Sequence, residues 1–468
     1  MLPQEFIRRT KELLHGEYDA LETALTSQPP VSFRVNPRKF PVHLLQDLQN
    51  PVGNTSGRYE KVPWCETGYY LQERPSFTFD PLFHTGSYYV QEASSMFIEQ
   101  AFLTIIADAV ASTRKPLIVL DLCAAPGGKS THLLTLLPEG SLLVGNEVIR
   151  SRSVILAENM AKWGRADHIV TNNDPIDFGK LKPVFDIILA DLPCSGEGMF
   201  RKNPTGRNEW SIDSVKLCAL RQKRIILDVW DALRPGGWLV YSTCTFNTEE
   251  NEDNVYELAR KLRAEIVPIP VTREWDITGS LRHDIPAYRF FPHRTRGEGF
   301  FLALMRKNKG AEDAGMTKTK YKNRKQSASV PAEIKRMLLE PDRFAFFMDG
   351  GVYALPEIHK NACSVFSETL DIISSGIRMG EFRSKDFVPS VSLALSSEIN
   401  PGAFPSIELS YGNAIRYLQK EVILLPENTS KGYILVTYKN IPLGFVKNIG
   451  TRANNLYPQE WRIRKRTV

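Results

Sequence analysis

Two apolar segments that each end in a cysteine constrain this chain more than any other feature. The first, DIILADLPC, ends at Cys194, and the second, LVYSTC, ends at Cys244. Each segment is typical of a buried β-strand, and Asp191 stands just before the first cysteine. In open α/β sheets, ligands and reacting groups gather at the carboxyl ends of the strands. The pattern therefore predicts two thiols and a carboxylate at one edge of a sheet, an arrangement suited to covalent chemistry on an electrophilic ring.

Apolar runs alternate with helical patterns between residues 81 and 308. The predicted strands are Leu117–Leu122, Leu142–Glu147, His168–Asn172, Phe185–Asp191 and Trp238–Thr243. The predicted helices are Ser130–Leu137, Arg152–Trp163 and Ser214–Leu233, and Phe300–Met305 would add an antiparallel strand. Such alternation predicts an α/β domain whose mostly parallel sheet is covered on both faces.

The length of 468 residues exceeds that of a usual single core, so two or three domains are expected. Residues 1–80 predict a small N-terminal α+β accessory domain around the extended segment Val31–Pro37. In residues 309–330, apolar residues do not recur at the spacing of a helix or a strand, and this pattern predicts a basic linker. Residues 331–468 predict a separate C-terminal region, and its last part, KGYILVTYKNIPLGFVKNIGTRANNLYP, predicts a small β-rich barrel.

Composition places the chain among soluble globular proteins, with 42% hydrophobic and 24% charged residues. No apolar run reaches about 18 residues and the N-terminus has no signal-peptide pattern, so we expect no membrane association. The six cysteines are scattered and match neither a disulfide framework nor a zinc signature, which favours a cytoplasmic protein without a metal. A net charge of +6 fits a solvated surface as well as an anionic partner such as nucleic acid.

A loop of small residues follows the first predicted strand and leads into a helix. The residues of this predicted cofactor loop are Cys123, Ala124, Ala125, Pro126, Gly127, Gly128 and Lys129. Its glycines let a ligand approach the backbone, and the helix N-terminus offers free N–H groups. A phosphate-binding GxxxxGK loop would need glycine where Cys123 stands. A plain tight turn is the alternative interpretation.

Acidic residues follow the next three strands. Glu147 lies about twenty residues beyond the glycines, where an acidic residue commonly binds both hydroxyls of a ribose. Asp174 is placed to accept a hydrogen bond from an adenine amino group, and Asp191 ends the fourth strand. Three such carboxylates beside a glycine loop fit an adenosyl ligand without a phosphate clamp, and S-adenosyl-L-methionine is that kind of ligand. Taken singly, Glu147 or Asp174 could equally be a solvated loop residue.

Three segments, DLCAAPGGKSTHLL, DIILADLPCSGEGMFRKNP and LVYSTCTFNTEENE, resemble the motifs of the Sun-type (Fmu) RNA cytosine-5 methyltransferases. The resemblance covers nearly all of residues 81–308, and HTGSYYVQEASSM and SFRVNP also match parts of that family. It implies a Rossmann-like class I methyltransferase core that uses S-adenosyl-L-methionine, with a PUA-like barrel in the C-terminal region. The layout is most similar to bacterial members that modify 16S rRNA of the 30S subunit.

The resemblance also implies roles for single residues. The cysteine of the Thr-Cys motif, here Cys244, would be the nucleophile, and the Pro-Cys cysteine, here Cys194, would assist product release. Asp191 would contact the N3 and amino edge of cytosine and lie close to the methionine part of the cofactor, while Lys129 would order the site. Cys123 would contribute backbone and not a thiol. Cytosine-5 DNA methyltransferases use a Pro-Cys nucleophile instead, so the residues alone do not order the two thiols.

RNA contacts are expected from basic residues in several segments. Arg34 and Asn36 match a family segment near the RNA path, and Arg201 and Lys202 are placed to meet phosphate, although a solvated surface is the alternative for each. The C-terminal barrel would supply Lys447, Arg452, Arg462, Arg464 and Lys465. We expect a monomer. Two alternatives to cytosine-5 methylation of 16S rRNA stay open. One is the same chemistry on tRNA or 23S rRNA, and the other is a non-catalytic RNA-binding ribosome assembly factor.

Overall fold

The computed structural model describes residues 2–40, 59–111, 116–181, 183–310 and 330–465. These residues form four sheets. The predicted linker, 309–330, lies almost wholly outside the described residues. None of the described helices is long and apolar enough to cross a membrane.

The N-terminal region packs helices against a four-stranded sheet. Its helices are α1 (Gln4–Leu14), α2 (Tyr18–Thr26) and α3 (Pro81–His84), and its strands are β1 (Val31–Val35), β2 (Glu60–Lys61), β3 (Gly68–Leu71) and β4 (Tyr88–Val90). The strand order is β2-β3-β1-β4, so the extended segment predicted around Val31 is the central strand β1. Strand β4 lies beyond residue 80, and the N-terminal sheet therefore extends past the predicted boundary.

The central domain contains the alternating elements that the sequence predicts. Its strands are β5 (Ile118–Asp121), β6 (Leu142–Asn146), β7 (His168–Thr171), β8 (Phe185–Asp191), β9 (Leu233–Thr243), β10 (Glu265–Val267), β11 (Tyr288–Phe290) and β12 (Phe300–Arg306). Its helices are α4 (Ile98–Ala111), α5 (Gly128–Leu136), α6 (Arg150–Trp163), α7 (Pro175–Phe178), α8 (Gly206–Glu209), α9 (Ile212–Val229) and α10 (Glu252–Leu262).

Five parallel strands of this domain run in the order β7-β6-β5-β8-β9. Buried apolar side chains cover both faces of this sheet, which explains why the strands read as continuous apolar runs in the sequence. Strand β12 pairs antiparallel with β9, as predicted. Strand order reverses between β5 and β8, and such a switch point is where open α/β sheets bind ligands. The sheet is therefore Rossmann-like. The predicted site residues lie at the carboxyl ends of its parallel strands.

The C-terminal region adds two further sheets. Its strands are β13 (Phe344–Met348), β14 (Val352–Pro356), β15 (Ile372–Ser375), β16 (Ile377–Arg383), β17 (Asp386–Pro389), β18 (Ser406–Glu408), β19 (Gly432–Tyr438), β20 (Ile441–Asn448) and β21 (Ala453–Asn455). Its helices are α11 (Ala332–Lys335), α12 (Lys360–Thr369), α13 (Val391–Ala394) and α14 (Tyr411–Leu418). The sheets run β13-β14-β16-β17 and β18-β19-β20-β21, and the second contains the predicted β-rich segment.

Part of the C-terminal region belongs structurally to the central domain. Strand β15 pairs antiparallel with β7 and forms one edge of the central sheet. Phe366 of α12 stacks on Phe185 with ring centroids 5.7 Å apart, within one buried apolar cluster. The C-terminal region is therefore less separate than the sequence predicts, because it covers an edge strand and an apolar face that would otherwise be exposed.

Arg34 and Asn36 connect the N-terminal sheet to the central domain. The Arg34 guanidinium is fully buried, donates to Gly128 O at 3.2 Å and Thr131 Oγ1 at 2.7 Å, and lies 4.5 Å from the Trp163 ring centroid. Asn36 Nδ2 donates to the Trp163 carbonyl at 3.0 Å. The expectation that this pair contacts RNA is therefore wrong in this structure, since both side chains are enclosed and hydrogen-bonded to the central domain.

A second buried polar cluster joins the same regions. His132 Nε2 lies 2.8 Å from Glu99 Oε2 and 3.7 Å from Cys65 Sγ. Burial lowers the pKa of His132 to about 4, so the ring is neutral at pH 7 and donates to the Glu99 carboxylate. The contact between His132 and Glu99 fixes helix α5, and hence the loop before it, against helix α4.

Candidate active site

The glycine-rich loop connects β5 to α5. Gly127 has a positive φ of +114°, and a Cβ atom there would lie 3.2 Å from Leu156 Cδ1. A Cβ at Gly128 would lie 3.2 Å from Tyr89 Cε1. A side chain at either glycine would thus strain the turn or crowd its neighbours, which explains the pair. The remaining loop residues, Cys123, Ala124, Ala125 and Pro126, lie between the strand end and this turn.

Burial raises the pKa of the Cys123 thiol well above its usual value, and the carboxylates of Asp191 and Asp121 raise it further. A thiol held protonated in this way is a poor nucleophile. The raised pKa therefore gives no support to a covalent role for the Cys123 thiol, and its backbone role stays a prediction.

The predicted acidic residues follow successive strand ends. Glu147 comes directly after β6, is only 3% exposed, accepts from Ile149 N at 3.0 Å and pairs with Arg152 at 3.1 Å. Asp174 caps helix α7 by accepting from Ile176 N at 3.1 Å. Glu147 is therefore not a freely solvated loop residue, whereas Asp174 is a partly exposed helix cap.

Asp121, at the end of β5, adds a carboxylate that the sequence interpretation did not single out. Its Oδ2 accepts from Ser130 Oγ at 2.6 Å, and its buried Oδ1 has no hydrogen-bond partner among the described residues. Burial raises the pKa of Asp121 to about 7, and the charges of Asp191 and Glu147 add to the rise. These carboxylates therefore repel one another, and a cationic ligand would relieve that repulsion whereas a phosphate would increase it. This set of carboxylates, which accept hydrogen bonds and attract a positive charge, suits an adenosyl sulfonium.

Asp191 joins the glycine-rich loop to the cysteine segments. One oxygen, Oδ2, accepts from Lys129 Nζ at 2.7 Å, and the other accepts from Ser242 Oγ at 2.8 Å. Burial lowers the pKa of Lys129, but the charge and hydrogen bond of Asp191, together with the charges of Asp121 and Cys244, raise it, and the net shift of the pKa is upward. Lys129 is thus a fixed cation within electrostatic range of Asp191 and Cys244.

The two predicted thiols meet at the ends of adjacent strands. Cys194 Sγ lies 3.0 Å from Cys244 Sγ and 3.3 Å from the Cys244 backbone N–H nitrogen. The hydrogen bond with Cys244 and burial together hold the pKa of Cys194 well above its usual value. Cys194 therefore stays protonated at neutral pH, and its sulfur lies within hydrogen-bonding distance of the Cys244 sulfur. The prediction that both thiols lie at one sheet edge is confirmed.

Several functional-site residues were missed in the sequence. Glu197 and Glu250 are buried carboxylates within the two cysteine motifs. Gln222 donates a hydrogen bond to Glu250, and the Tyr241 hydroxyl donates to Gln222. Each glutamate stands in a quoted motif, so its position next to the cysteines was an available signal. The partners that each glutamate has in the opposite cysteine motif lie about fifty residues away in the sequence, so only the fold identifies them.

The basic residues after the Pro-Cys motif are already paired. Arg201 is 5% exposed in its side chain and bonds Glu298 at 3.1 Å, while Lys202 Nζ lies 3.7 Å from the same carboxylate. Arg201 is enclosed and therefore does not face RNA as expected. In the C-terminal region, Lys447 bonds Asp386, whereas Arg452, Arg462, Arg464 and Lys465 are exposed.

Three family models match separate parts of this chain. The model for the 16S rRNA methyltransferase RsmB/F matches residues 110–306, and that for the N-terminal domain of 16S rRNA methyltransferase RsmF matches residues 2–93. The methyltransferase RsmF PUA domain matches residues 404–463, which contain the sheet β18–β21. The expected PUA domain is therefore present in the C-terminal region.

Relatives match over nearly the whole chain. Ribosomal RNA small subunit methyltransferase F of Enterobacter sp. (strain 638) is 30% identical over 98% of this chain and 95% of its own length. The protein of the same name from Escherichia coli O127:H6 is 31% identical over 98% and 96%. A solved methyltransferase homologue from Pyrococcus horikoshii is 30% identical, with a TM-score of 0.54 over 65% of this chain and 95% of its own. This chain therefore belongs to the ribosomal RNA small subunit methyltransferase F family, which makes it an RNA methyltransferase of the RsmB/F type.

Proposed function

We propose that this enzyme transfers a methyl group from S-adenosyl-L-methionine to C5 of one cytosine in 16S rRNA, through a covalent adduct between Cys244 and C6. The observation that carries the proposal is the thiol pair, 3.0 Å apart, at the strand ends beside Asp191. The names of the relatives support a small-subunit rRNA substrate.

The first half of the reaction makes C5 nucleophilic. The Cys244 thiolate adds to C6 and forms an S–C6 bond, while the electrons of the C5=C6 bond move through the ring and N3 takes up a proton from solvent. Asp191, oriented by Lys129 and Ser242, would face the N3 and amino edge of the base. S-adenosyl-L-methionine, when bound, supplies the methyl group that C5 attacks and leaves as S-adenosyl-L-homocysteine.

The second half releases the product. A base removes the C5 proton, the electron pair re-forms the C5=C6 bond, and Cys244 departs as a thiolate while N3 loses its proton. Cys194 is protonated and 3.0 Å from the departing sulfur, so it would stabilise the thiolate by donating a hydrogen bond. The net change is one proton released for each methyl group transferred.

The cofactor would lie along the carboxyl edge of β5 to β8. Glu147 would hold the ribose hydroxyls, Asp174 the adenine amino group, and Asp191 the methionine end. The residues 123–129 would approach it with backbone groups, which the two glycines permit. This assignment follows the strand-end order of the carboxylates and their mutual repulsion.

The substrate base must leave any helical stack to reach a thiol at the end of a strand. A single cytosine cannot specify one site in a ribosome, so we infer that the N-terminal and PUA domains recognise RNA shape around it. The exposed Arg452, Arg462 and Arg464 would supply phosphate contacts there.

Methyl transfer from labelled cofactor tests the proposal. The enzyme is incubated with isolated 30S subunits, naked 16S rRNA and bulk tRNA, and the labelled nucleoside is identified. We expect 5-methylcytidine in the small-subunit or 16S sample. Label confined to tRNA would overturn the rRNA substrate, and label in another nucleoside would overturn the chemistry. A lack of label with intact cofactor binding would favour the assembly-factor alternative.

A further inference from the structure

Each of the two cysteine segments supplies a buried carboxylate that binds the other segment. Glu197, three residues after Cys194, is 2% exposed and reaches the segment that follows Cys244. Its Oε2 accepts from Thr245 Oγ1 at 2.8 Å, Phe246 N at 2.8 Å and Asn247 N at 2.9 Å. Its Oε1 accepts from Trp210 Nε1 at 3.0 Å. The Pro-Cys segment thus binds the backbone next to the nucleophile.

Glu250 makes the reciprocal connection. It follows Cys244 by six residues, is fully buried, and accepts from Ser195 N at 3.0 Å and from Ser195 Oγ. Gln222 Nε2 donates to it at 2.8 Å, and Asn247 Nδ2 donates at 2.7 Å. The Thr-Cys segment thus binds the backbone of the residue next to Cys194.

A backbone contact lies between these two side-chain connections. Gly198 N donates to the Cys244 carbonyl at 2.9 Å, and a Cβ atom at Gly198 would lie 2.7 Å from that oxygen. The backbone at both cysteines is therefore fixed by groups from the opposite segment. A buried carboxylate is costly unless donors satisfy it, and here four donors satisfy each one.

We propose that Glu197 and Glu250 are positioning residues, each for one of the two thiols. Glu197 fixes the position of the nucleophile Cys244, and Glu250 keeps Cys194, the thiol that assists product release, in contact with Cys244. This inference rests on the proposed function. Neither carboxylate touches the reacting atoms. Loss of Glu250 should free the Cys194 segment, so attack continues while release slows. Loss of Glu197 should misplace Cys244, so attack itself slows.

The test compares Glu197→Gln and Glu250→Gln in the full-length enzyme, with isolated small subunits as the RNA probe. The readouts are kcat, KM for S-adenosyl-L-methionine, and the fraction of enzyme in an SDS-stable RNA adduct. We expect kcat to fall roughly tenfold or more for both variants, with KM changed less than about threefold. The adduct fraction should rise above wild type for E250Q and fall below it for E197Q. Glu257→Gln, the same change at an exposed ion pair on α10, is the matched control.

Trp210→Phe provides a second, compensating variant. In E197Q the new NH₂ group would face the Trp210 N–H, and W210F removes that donor. We therefore expect E197Q/W210F to recover several-fold activity over E197Q, which a general loss of folding would not allow. Wild-type kinetics in E197Q and E250Q, or adduct fractions that move in the same direction, would overturn the inference. Absence of 5-methylcytidine from the wild-type reaction would instead overturn the proposed function.

Discussion

The two halves of the active site differ in how completely the described residues satisfy the carboxylates of Glu197 and Glu250 on one side and of Asp121 on the other. In the cysteine half, Glu197 and Glu250 each receive four hydrogen bonds from the protein. In the cofactor half, the buried Asp121 Oδ1 has no partner among the described residues, and burial with neighbouring negative charge raises the pKa of that carboxyl to about 7.

This difference indicates that the cysteine half is built to hold a fixed geometry and the cofactor half to bind a ligand. The protein's own hydrogen bonds hold the cysteine half in place, as expected where one thiol must reach a carbon atom and a second must reach the first thiol. In the cofactor half, the charges of Asp191 and Glu147 oppose ionisation of Asp121, and a sulfonium ligand would reduce that repulsion. Substitutions in the cysteine half should therefore alter chemical steps, and those in the cofactor half should alter ligand affinity and pH dependence.

The largest effect is expected for Cys244→Ala. Without the thiolate, C5 is not activated, so we expect methyl transfer to fall by more than about 10³-fold with no covalent adduct. RNA binding, measured by filter retention, should persist. Cys218→Ala, at a half-buried cysteine on α9, is the control. Methylation by C244A would place the nucleophile elsewhere.

Cys194→Ala should have the next largest effect, of a different kind. Attack by Cys244 persists while the departing thiolate loses its hydrogen-bond donor, so turnover should fall roughly 10²-fold and an RNA adduct should accumulate. Denaturing gels of the reaction with labelled RNA measure that adduct. A C194A enzyme that turns over normally without an adduct would show that the 3.0 Å contact between the thiols has no part in release.

Glu147→Gln tests the cofactor half. Replacing a charged acceptor with a neutral one should weaken S-adenosyl-L-methionine binding by roughly tenfold to a hundredfold, since hydrogen bonds to charged groups contribute about 1.5–3 kcal/mol. Calorimetric titration measures the affinity, with the exposed Glu139→Gln as control. Adduct formation at saturating cofactor should be retained. Unchanged affinity would remove Glu147 from the cofactor site.

Asp121→Asn tests the pH dependence. The folded pKa of Asp121, about 7, exceeds the usual aspartate value, so the stability that its proton confers is full below the unfolded pKa and is lost as pH rises through 7. The wild-type free energy of unfolding should therefore lose roughly 2 kcal/mol from this group between pH 5 and pH 8. D121N should be less sensitive to pH over that range. Equal slopes in denaturant titrations of the two proteins would contradict the shift.

The sequence allowed the central sheet and its reacting edge to be predicted because buried parallel strands are continuous apolar runs. Cys194, Cys244 and Asp191 then follow from strand ends that share one edge. The pairing of Glu197 with residues near 246 could not be predicted, because it depends on how two loops about fifty residues apart pack together.

Arg34 is a residue for which the sequence predicts a contact that the structure contradicts. A charged residue is usually exposed, so an RNA contact was a reasonable expectation. In the structure, carbonyl and hydroxyl oxygens at the start of α5 and the Trp163 ring enclose its guanidinium. Those partners lie about 94 to 129 residues away and become neighbours only in the fold. Strand β15 escaped prediction for the same reason, since its pairing with β7 is long-range.

The central claim is that Cys244 forms the bond to cytosine while Cys194 releases it. The most direct measurement is mass spectrometry of the adduct trapped by Cys194→Ala, after digestion of both RNA and protein. The account predicts a peptide containing Cys244 that carries a 5-methylated cytidine adduct. An adduct on any other residue, or its absence while methylation of RNA proceeds, would contradict it.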